Sequence, residues 1–360
     1  TKFVDVHIVL LHKLRDRNFH RLYHIDTELL FQMGQAFAEE FKNGFMTGLK
    51  NCSETVIPSL FPFLIAASLS GSGNIPKPIQ KALSFFTEKF FHLPSETVFA
   101  FILGQTGGYL SGVKSANSLC ETGRISDSQA EKLMFFCINP GIGFSVNALG
   151  SIMLSSRNSG RIIFLSVCIS SLICGIISRF LPCSEITVTK KRNKIPPFSQ
   201  AVINSVSSGT FSLLTACAFV CIFSGITAVI EAYIPDGAIK TSAICLLEIT
   251  NGCIFASEEM SLPFISAMCA FGGICVHMQI FASADKFRIR LPLFYIFRII
   301  HAVLSFLIYP LLSCFLCLLP QEKIHNTKTL PHLLLSCEFF PLMSVLSWKS
   351  IQFLLFDILY

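Results

Sequence analysis

Apolar residues in this chain run in long uninterrupted blocks, not in the alternating pattern of a half-buried sheet. No Asp, Glu, Lys or Arg occurs from Thr55 to Pro76, Thr97 to Val113, Leu133 to Ser156, Ile162 to Ser178, Phe198 to Ile230 or Met260 to Ala284. Most of these blocks reach or approach the roughly 20 residues that cross a hydrocarbon core about 30 Å thick. With no water to satisfy backbone N–H and C=O groups, they must be helices. The pattern predicts spans over 56–69, 133–154, 162–181, 201–233, 262–284 and 291–319. The stretch 79–93, where Phe85, Phe86, Phe90 and Phe91 mix with Lys81, Glu88 and Lys89, reads as a helix lying in the interface. A last helix over 342–360 would add a further segment.

Two segments, 99–113 and 241–257, are short for a crossing and contain glycine, so they read as half-helices or re-entrant pieces. The first holds Gly104-Gln105-Thr106-Gly107-Gly108-Tyr109 and is followed by Cys137-Ile138-Asn139-Pro140-Gly141. The second holds Glu248-Ile249-Thr250-Asn251-Gly252-Cys253 and is followed by Cys269-Ala270-Phe271-Gly272-Gly273. Thr106 and Gly108 match Thr250 and Gly252; Cys137, Gly141 and Asn147 match Cys269, Gly273 and Gln279. Interrupted hydrophobic segments at corresponding places in two halves point to a carrier site at the membrane midplane. The predicted fold is therefore an all-α polytopic membrane protein of two related halves, with re-entrant or broken helices and roughly 8 membrane segments. Its divisions are a polar N-terminal segment 1–43, a first membrane half 44–182, a basic loop 183–198, a second half 199–320 and a tail 321–360.

Composition agrees. Only 14% of residues are charged, against about 25% in a soluble domain. The net charge of +6 does not imply nucleic acid, because the basic residues fall in short connections. Lys190, Lys191, Arg192 and Lys194 place the central loop in the cytoplasm by the positive-inside bias, while Arg157 and Arg161 at the far end of the preceding span pull the other way. Most of the 15 cysteines lie in apolar runs, where thiols behave as small hydrophobes. Cys314 and Cys317 form a lone pair at CxxC spacing without the further ligands zinc usually takes. No metal or cofactor is expected. The residues after Thr1 are too charged for a signal peptide.

The candidate chemistry lies beside the glycines. Gly104, Gly108 and Gly112 share one helical stripe; they allow either close helix packing or, with Gly107, local unwinding that frees backbone amides for an anion. Glu248 is the only acid from Thr241 to Ser257. A carboxylate at membrane depth is costly and often functional, so it is a candidate for a coupling proton or for substrate contact; the alternative is a structural pair with Arg298. Gln105, Thr106, Asn139, Thr250 and Asn251 can hydrogen-bond a polar solute or satisfy broken-helix backbone. Gly107, Gly108, Gly141, Gly252, Gly273, His277 and Gln279 complete the candidate substrate site. Arg298 and His301 lie one turn apart, and Arg298 is expected to snorkel to the headgroups. Ser111-x-x-Lys114 lacks the companion motifs of a penicillin-recognising site. No Walker loop, dinucleotide fingerprint or His-Glu-x-x-His occurs, so neither an enzyme nor ATP-driven transport is predicted.

The ordered motifs Pro58-Ser59-Leu60-Phe61-Pro62-Phe63, Gly108-Tyr109-x-x-Gly112, Gly123-Arg124-Ile125-Ser126 and Phe136-Cys137-x-Asn139 resemble the YlbJ-type sporulation integral membrane proteins. Glu248-x-Thr250-Asn251-Gly252 and Phe271-Gly272-Gly273 with His277-x-Gln279 fit the same pattern, so the resemblance covers roughly residues 44–320. That group belongs with the nucleoside-recognition ("Gate") domains and is similar to concentrative nucleoside transporters. The resemblance implies a bacterial membrane carrier in endospore formation, moving dipicolinate across the outer forespore membrane by a secondary mechanism. A nucleoside-type carrier and a non-transporting scaffold for spore cortex assembly are the alternatives. Expected partners are a small anionic or nucleoside-like solute, membrane lipid and a coupling proton or sodium ion, with homo-oligomerisation open. Leu110 stands where the family usually has Pro, and the polar start replaces its first hydrophobic segment.

Overall fold

A computed structural model describes residues 27–72, 84–85, 87–182 and 195–318. Of the expected interfacial helix at 79–93, residues 84–85 and 87–91 are helical, while 79–83 and 86, the basic cluster at 190–194 and the segment 342–360 lie outside the described residues. The chain divides into two compact units, 1–306 and 307–360; of the second, only the end of the last helix is described. The described residues are helical, with no strand among them.

The first helix, α1 (Thr27–Asn51), continues through a wide turn at Cys52–Val56 into α2 (Ile57–Gly71). Helix thus crosses the expected 43/44 division without interruption. Pro58 and Pro62 cause the local widening, because each lacks the N–H that would bond four residues back, to Glu54 and Pro58; Ser59 Oγ donates to the neighbouring Thr55 carbonyl. Two short helices follow, α3 (Val98–Thr106) and α4 (Tyr109–Glu121), and then α5 (Asp127–Leu133). Ser126 and Gln129 start α5 with reciprocal side-chain caps.

The expected span over 133–154 is not one helix. Residues 134–142 are irregular and almost all buried, and a π-helix occupies Gly143–Met153. Pro140 explains the interruption: it donates no hydrogen bond and disfavours helix at Asn139. The helix α6 (Arg157–Ser178) ends the first half. The second half comprises α7 (Phe198–Tyr233), the short α8 (Ala238–Leu247) and α9 (Ile249–Glu259), α10 (Leu262–Phe271), α11 (Gly273–Ser283) and α12 (Leu291–Leu318).

Among the described residues, five stretches are long and apolar enough to cross a membrane: Gln32–Gly71, Arg157–Ser178, Phe198–Tyr233, Leu262–Ser283 and Leu291–Leu316. The expected segments at 99–113, 133–154 and 241–257 are shorter or broken pieces. Small residues set the packing, as they do where helices associate in lipid. Gly44 and Gly48 of α1 lie against Ser224, Gly225 and Cys221 of α7, and Phe37 stacks on Tyr233 at 4.1 Å. Gly71 of α2 meets Ser118 of α4, and Ser70 and Ser115 share a hydrogen bond of 2.6 Å.

Candidate functional site

Four helix interruptions build the site. At the first, Gly107 N donates to Leu103 O to close α3, and Gly108 takes φ +92°, a conformation open chiefly to glycine, before α4 begins. Gly104 and Gly112 do different work from Gly108. A β-carbon on either would strike the Cys137 carbonyl, so these two let the irregular 134–142 segment lie directly on α3 and α4. Packing and unwinding are thus divided among the glycines of one stripe.

The second interruption is held by amides. Asn139 Nδ2 donates to Phe136 O at 3.0 Å, Gln105 Oε1 at 3.1 Å and Gly104 O at 3.3 Å. Gln105 Nε2 donates to Ser171 Oγ at 2.9 Å and to Phe136 O at 3.2 Å. Thr106 Oγ1 returns to Ile102 O. Gln105, Thr106 and Asn139 are all buried and satisfy backbone and one another, while Asn139 Oδ1 and Ser145 Oγ are buried without a partner. Asn139→Leu should therefore strip donors from three acceptors and cost about 2–4 kcal/mol. The check is thermal unfolding in detergent, where an unchanged midpoint would refute the assignment.

At the third interruption Glu248 is extended between α8 and α9 and caps α9 with its own carboxylate. Oε1 accepts from Thr250 N at 2.9 Å and Oε2 from Asn251 N at 2.7 Å. Negative charge at a helix amino end is favoured by its exposed N–H groups. Glu248 is buried, whereas Thr250 and Asn251 are half-buried and Asn251 Nδ2 reaches Ser224 Oγ at 3.4 Å. Gly252 permits close contact with Cys245 across the α8–α9 hairpin. The fourth interruption is Gly272, left-handed at φ +94°, between α10 and α11. His277 Nε2 donates back to Phe271 O at 2.9 Å, and Gln279 Nε2 lies on Cys275 Sγ.

The interruptions meet. A β-carbon on Gly141 would lie 3.1 Å from Gly108 N, one on Gly272 3.3 Å from the Tyr109 ring, and one on Gly273 3.5 Å from Ile249 N. Tyr109 Oη donates to Cys269 O at 2.7 Å, joining the first half's break to the second half's. The sites do not superpose in the register read from sequence: Thr106 precedes the Gly107–Gly108 break, whereas Thr250 and Gly252 follow the break at Glu248. Asn147 is exposed in the π-helix, while its expected counterpart Gln279 is buried in α11.

Arg298 requires a correction. It does not reach the headgroups and does not pair with Glu248; it is fully buried. Nη1 donates to Ile138 O at 2.8 Å and Ala270 O at 3.3 Å, and Nη2 to Phe135 O at 3.1 Å. Carbonyls stranded at the ends of α5 and α10 attract the guanidinium more strongly than a distant surface does. His301 Nε2 donates to Val167 O and Ser305 Oγ to Ser266 O, so these three residues form a polar stripe down α12 that grips α6, α10 and the 134–142 segment.

A second tie between the halves went unnoticed in the sequence. Arg290 donates to both oxygens of the buried Glu131 carboxylate at 2.7–2.9 Å, and its own N–H adds a further bond. Asn117 Nδ2 donates to Asp285 Oδ1 at 2.6 Å and its Oδ1 accepts from Lys286 N. The only hint was the mixture of acids, amides and bases in 114–132 and 284–290. Burial opposes the Asp285 charge, but hydrogen bonds from Lys286 and Asn117 outweigh it, and the carboxyl is held below its usual range. The contact therefore contributes stability above the unfolded value of about 3.9, and that contribution is lost as pH falls through the lower folded value. Unfolding midpoints followed down to acid pH should fall less for Asp285→Asn than for the wild type; parallel curves would refute this.

No family model matches the chain, and no solved structure matches it. It is 24% identical over 310 residues to the sporulation integral membrane protein YlbJ of Bacillus subtilis (strain 168), covering 71% of this chain and 74% of that protein. The chain is thus related to YlbJ. With the five long apolar helices, the YlbJ match makes this an integral membrane protein related to one that acts in sporulation.

Proposed function

We propose that this chain is a sporulation-associated secondary carrier for dipicolinate or a similar small anion, acting in the outer forespore membrane. The observation that carries the reading is the meeting of helix amino ends from both halves, α9 against α11 at Gly273 and α11 against α4 at Tyr109, with Gly141 beside Gly108. The α9 amino end is capped by Glu248, but those of α4 and α11 have no side-chain cap, and their partial positive charge favours an anionic solute. The order of elements supports two related halves. Long helix, two broken pieces and long helix run from α1–α2 to α6, and the same order runs from α7 to α12. Glu248, buried at the α9 amino end, is placed to exchange a coupling proton, and movement of α8–α9 against α11 would open the site.

Uptake of dipicolinate into proteoliposomes tests this, with wild type and Glu248→Gln side by side. Uptake by the wild type that falls at least tenfold in the variant is expected. Equal uptake by both removes Glu248 from the mechanism. A nucleoside solute is the second reading, favoured by the Tyr109 ring at the junction of breaks, and uridine competition separates the two. Folded protein that moves neither solute would favour a scaffold.

A further inference from the structure

Arg298 carries an unmatched charge, and the donors it leaves idle have a defined geometry. A guanidinium has five N–H donors in a rigid planar fork. Three hydrogen bonds go to the carbonyls of Phe135, Ile138 and Ala270. Nε–H is buried with no partner, and Nη2 has a second hydrogen beyond its one bond to Phe135. Nε and Nη2 lie on the same side of the fork, the side used for bidentate binding of a carboxylate. Among the described residues no carboxylate is in ion-pair range of Arg298. Glu131 is taken by Arg290 and Glu248 by the α9 amides.

Carbonyl dipoles and the Phe294 ring, whose centroid is 5.8 Å from the guanidinium carbon, are weaker compensation for a buried cation than a counter-ion; removing such a charge from water costs several kcal/mol unless it is paired and hydrogen-bonded. The position adds to the case. Arg298 bridges the 134–142 segment of the first half and the end of α10, one residue before the peptide leading to Gly272. Tyr109, which bonds Cys269 next door, stands at the same junction.

We propose that Arg298 is the specificity-determining residue for substrate charge, its Nε–Nη2 edge receiving one carboxylate of the substrate as the missing counter-ion. This deepens the carrier reading and rests on it for the word substrate. The carbonyl bonds fix the fork so that little ordering is needed on binding. The edge is closed to solvent in this structure, so binding requires the junction at Gly272 to part first. The selected class is carboxylates. Neutral compounds of the same shape would leave the cation unpaired and be rejected.

Binding to the full-length protein in detergent, measured by calorimetry, tests the assignment with pyridine-2,6-dicarboxylate, its monoamide and its neutral diamide. The wild type should prefer the diacid over the diamide by roughly 10- to 100-fold. Arg298→Lys keeps charge but loses the fork and should cut that ratio severalfold; Arg298→Met should bring it near one. A variant that folds yet keeps the wild-type ratio overturns the proposal. Equal binding of diacid and diamide by the wild type overturns it whether or not either variant folds. Nucleoside monophosphate binding tighter than the diacid would also overturn it, since a tetrahedral anion would then be the preferred counter-ion. Discrimination in binding without uptake into proteoliposomes would instead defeat the carrier reading and leave the Arg298 assignment standing.

Discussion

Gly112→Val is expected to abolish the folded protein, with a loss of about 3 kcal/mol or more. A β-carbon there would overlap the Cys137 carbonyl and lie 2.9 Å from Cys137 Cβ. The obstruction is mainly backbone, in a segment that Asn139, Gln105 and Arg298 already hold from three sides, so no side chain can swing aside. Gly143→Ala is the matched control, because nothing lies within 4 Å of its β-carbon position. Thermal unfolding in detergent should separate the two. Similar midpoints for both variants would mean that the 134–142 segment does not rest on α4.

Breaking the Glu131–Arg290 clamp should have the next largest effect. Glu131 is almost fully buried, and Arg290 holds both its oxygens while remaining half-exposed itself. Hydrogen bonding by Glu131 raises the Arg290 guanidinium above its usual range, as expected when the charged form is favoured. Glu131→Ala leaves Arg290 in water at little cost, whereas Arg290→Ala strands a buried carboxylate. The second change should therefore be worse, at about 2–4 kcal/mol against about 1–2 kcal/mol. A double-mutant cycle should give a coupling of about 1–3 kcal/mol. Additive effects would show that the two residues do not act together. In a carrier, the same clamp joins the connection after α4 to the one before α12, so weakening it should also alter transport rate.

Much of the fold was legible because its signals are local. Charge-free blocks of sufficient length predicted the long helices, and glycine pairs marked where two of them break. The 133–154 block misled because its apolarity was continuous; Pro140 and Gly141 argued against a plain helix, and their effect depended on Asn139 finding three acceptors. Gln105 and Asn139 were read as partners either of a solute or of broken-helix backbone, and they bond backbone; that Glu248 caps α9 with its own carboxylate was not legible in the sequence. Arg298 was misplaced for a related reason. Its partners lie 28 to 163 residues away in sequence, and three of them are main-chain carbonyls with no side-chain signature. Spacing did carry a usable hint, since Arg298, His301 and Ser305 fall on one face of an otherwise apolar helix.

The length of α7 constrains how this protein sits among its lipids. Its 36 residues extend to about 54 Å at 1.5 Å per residue, well beyond a hydrocarbon slab of about 30 Å. Phe198, Ile203, Phe211, Leu214 and Ile222 spread outward-facing apolar surface over about 36 Å of that distance. Acyl chains must cover this surface, so the rod has to lean or draw the surrounding leaflet up around it. Thickness of the host bilayer then becomes a control on its inclination, and reconstitution into short-chain and long-chain lipids should register as a change in tilt.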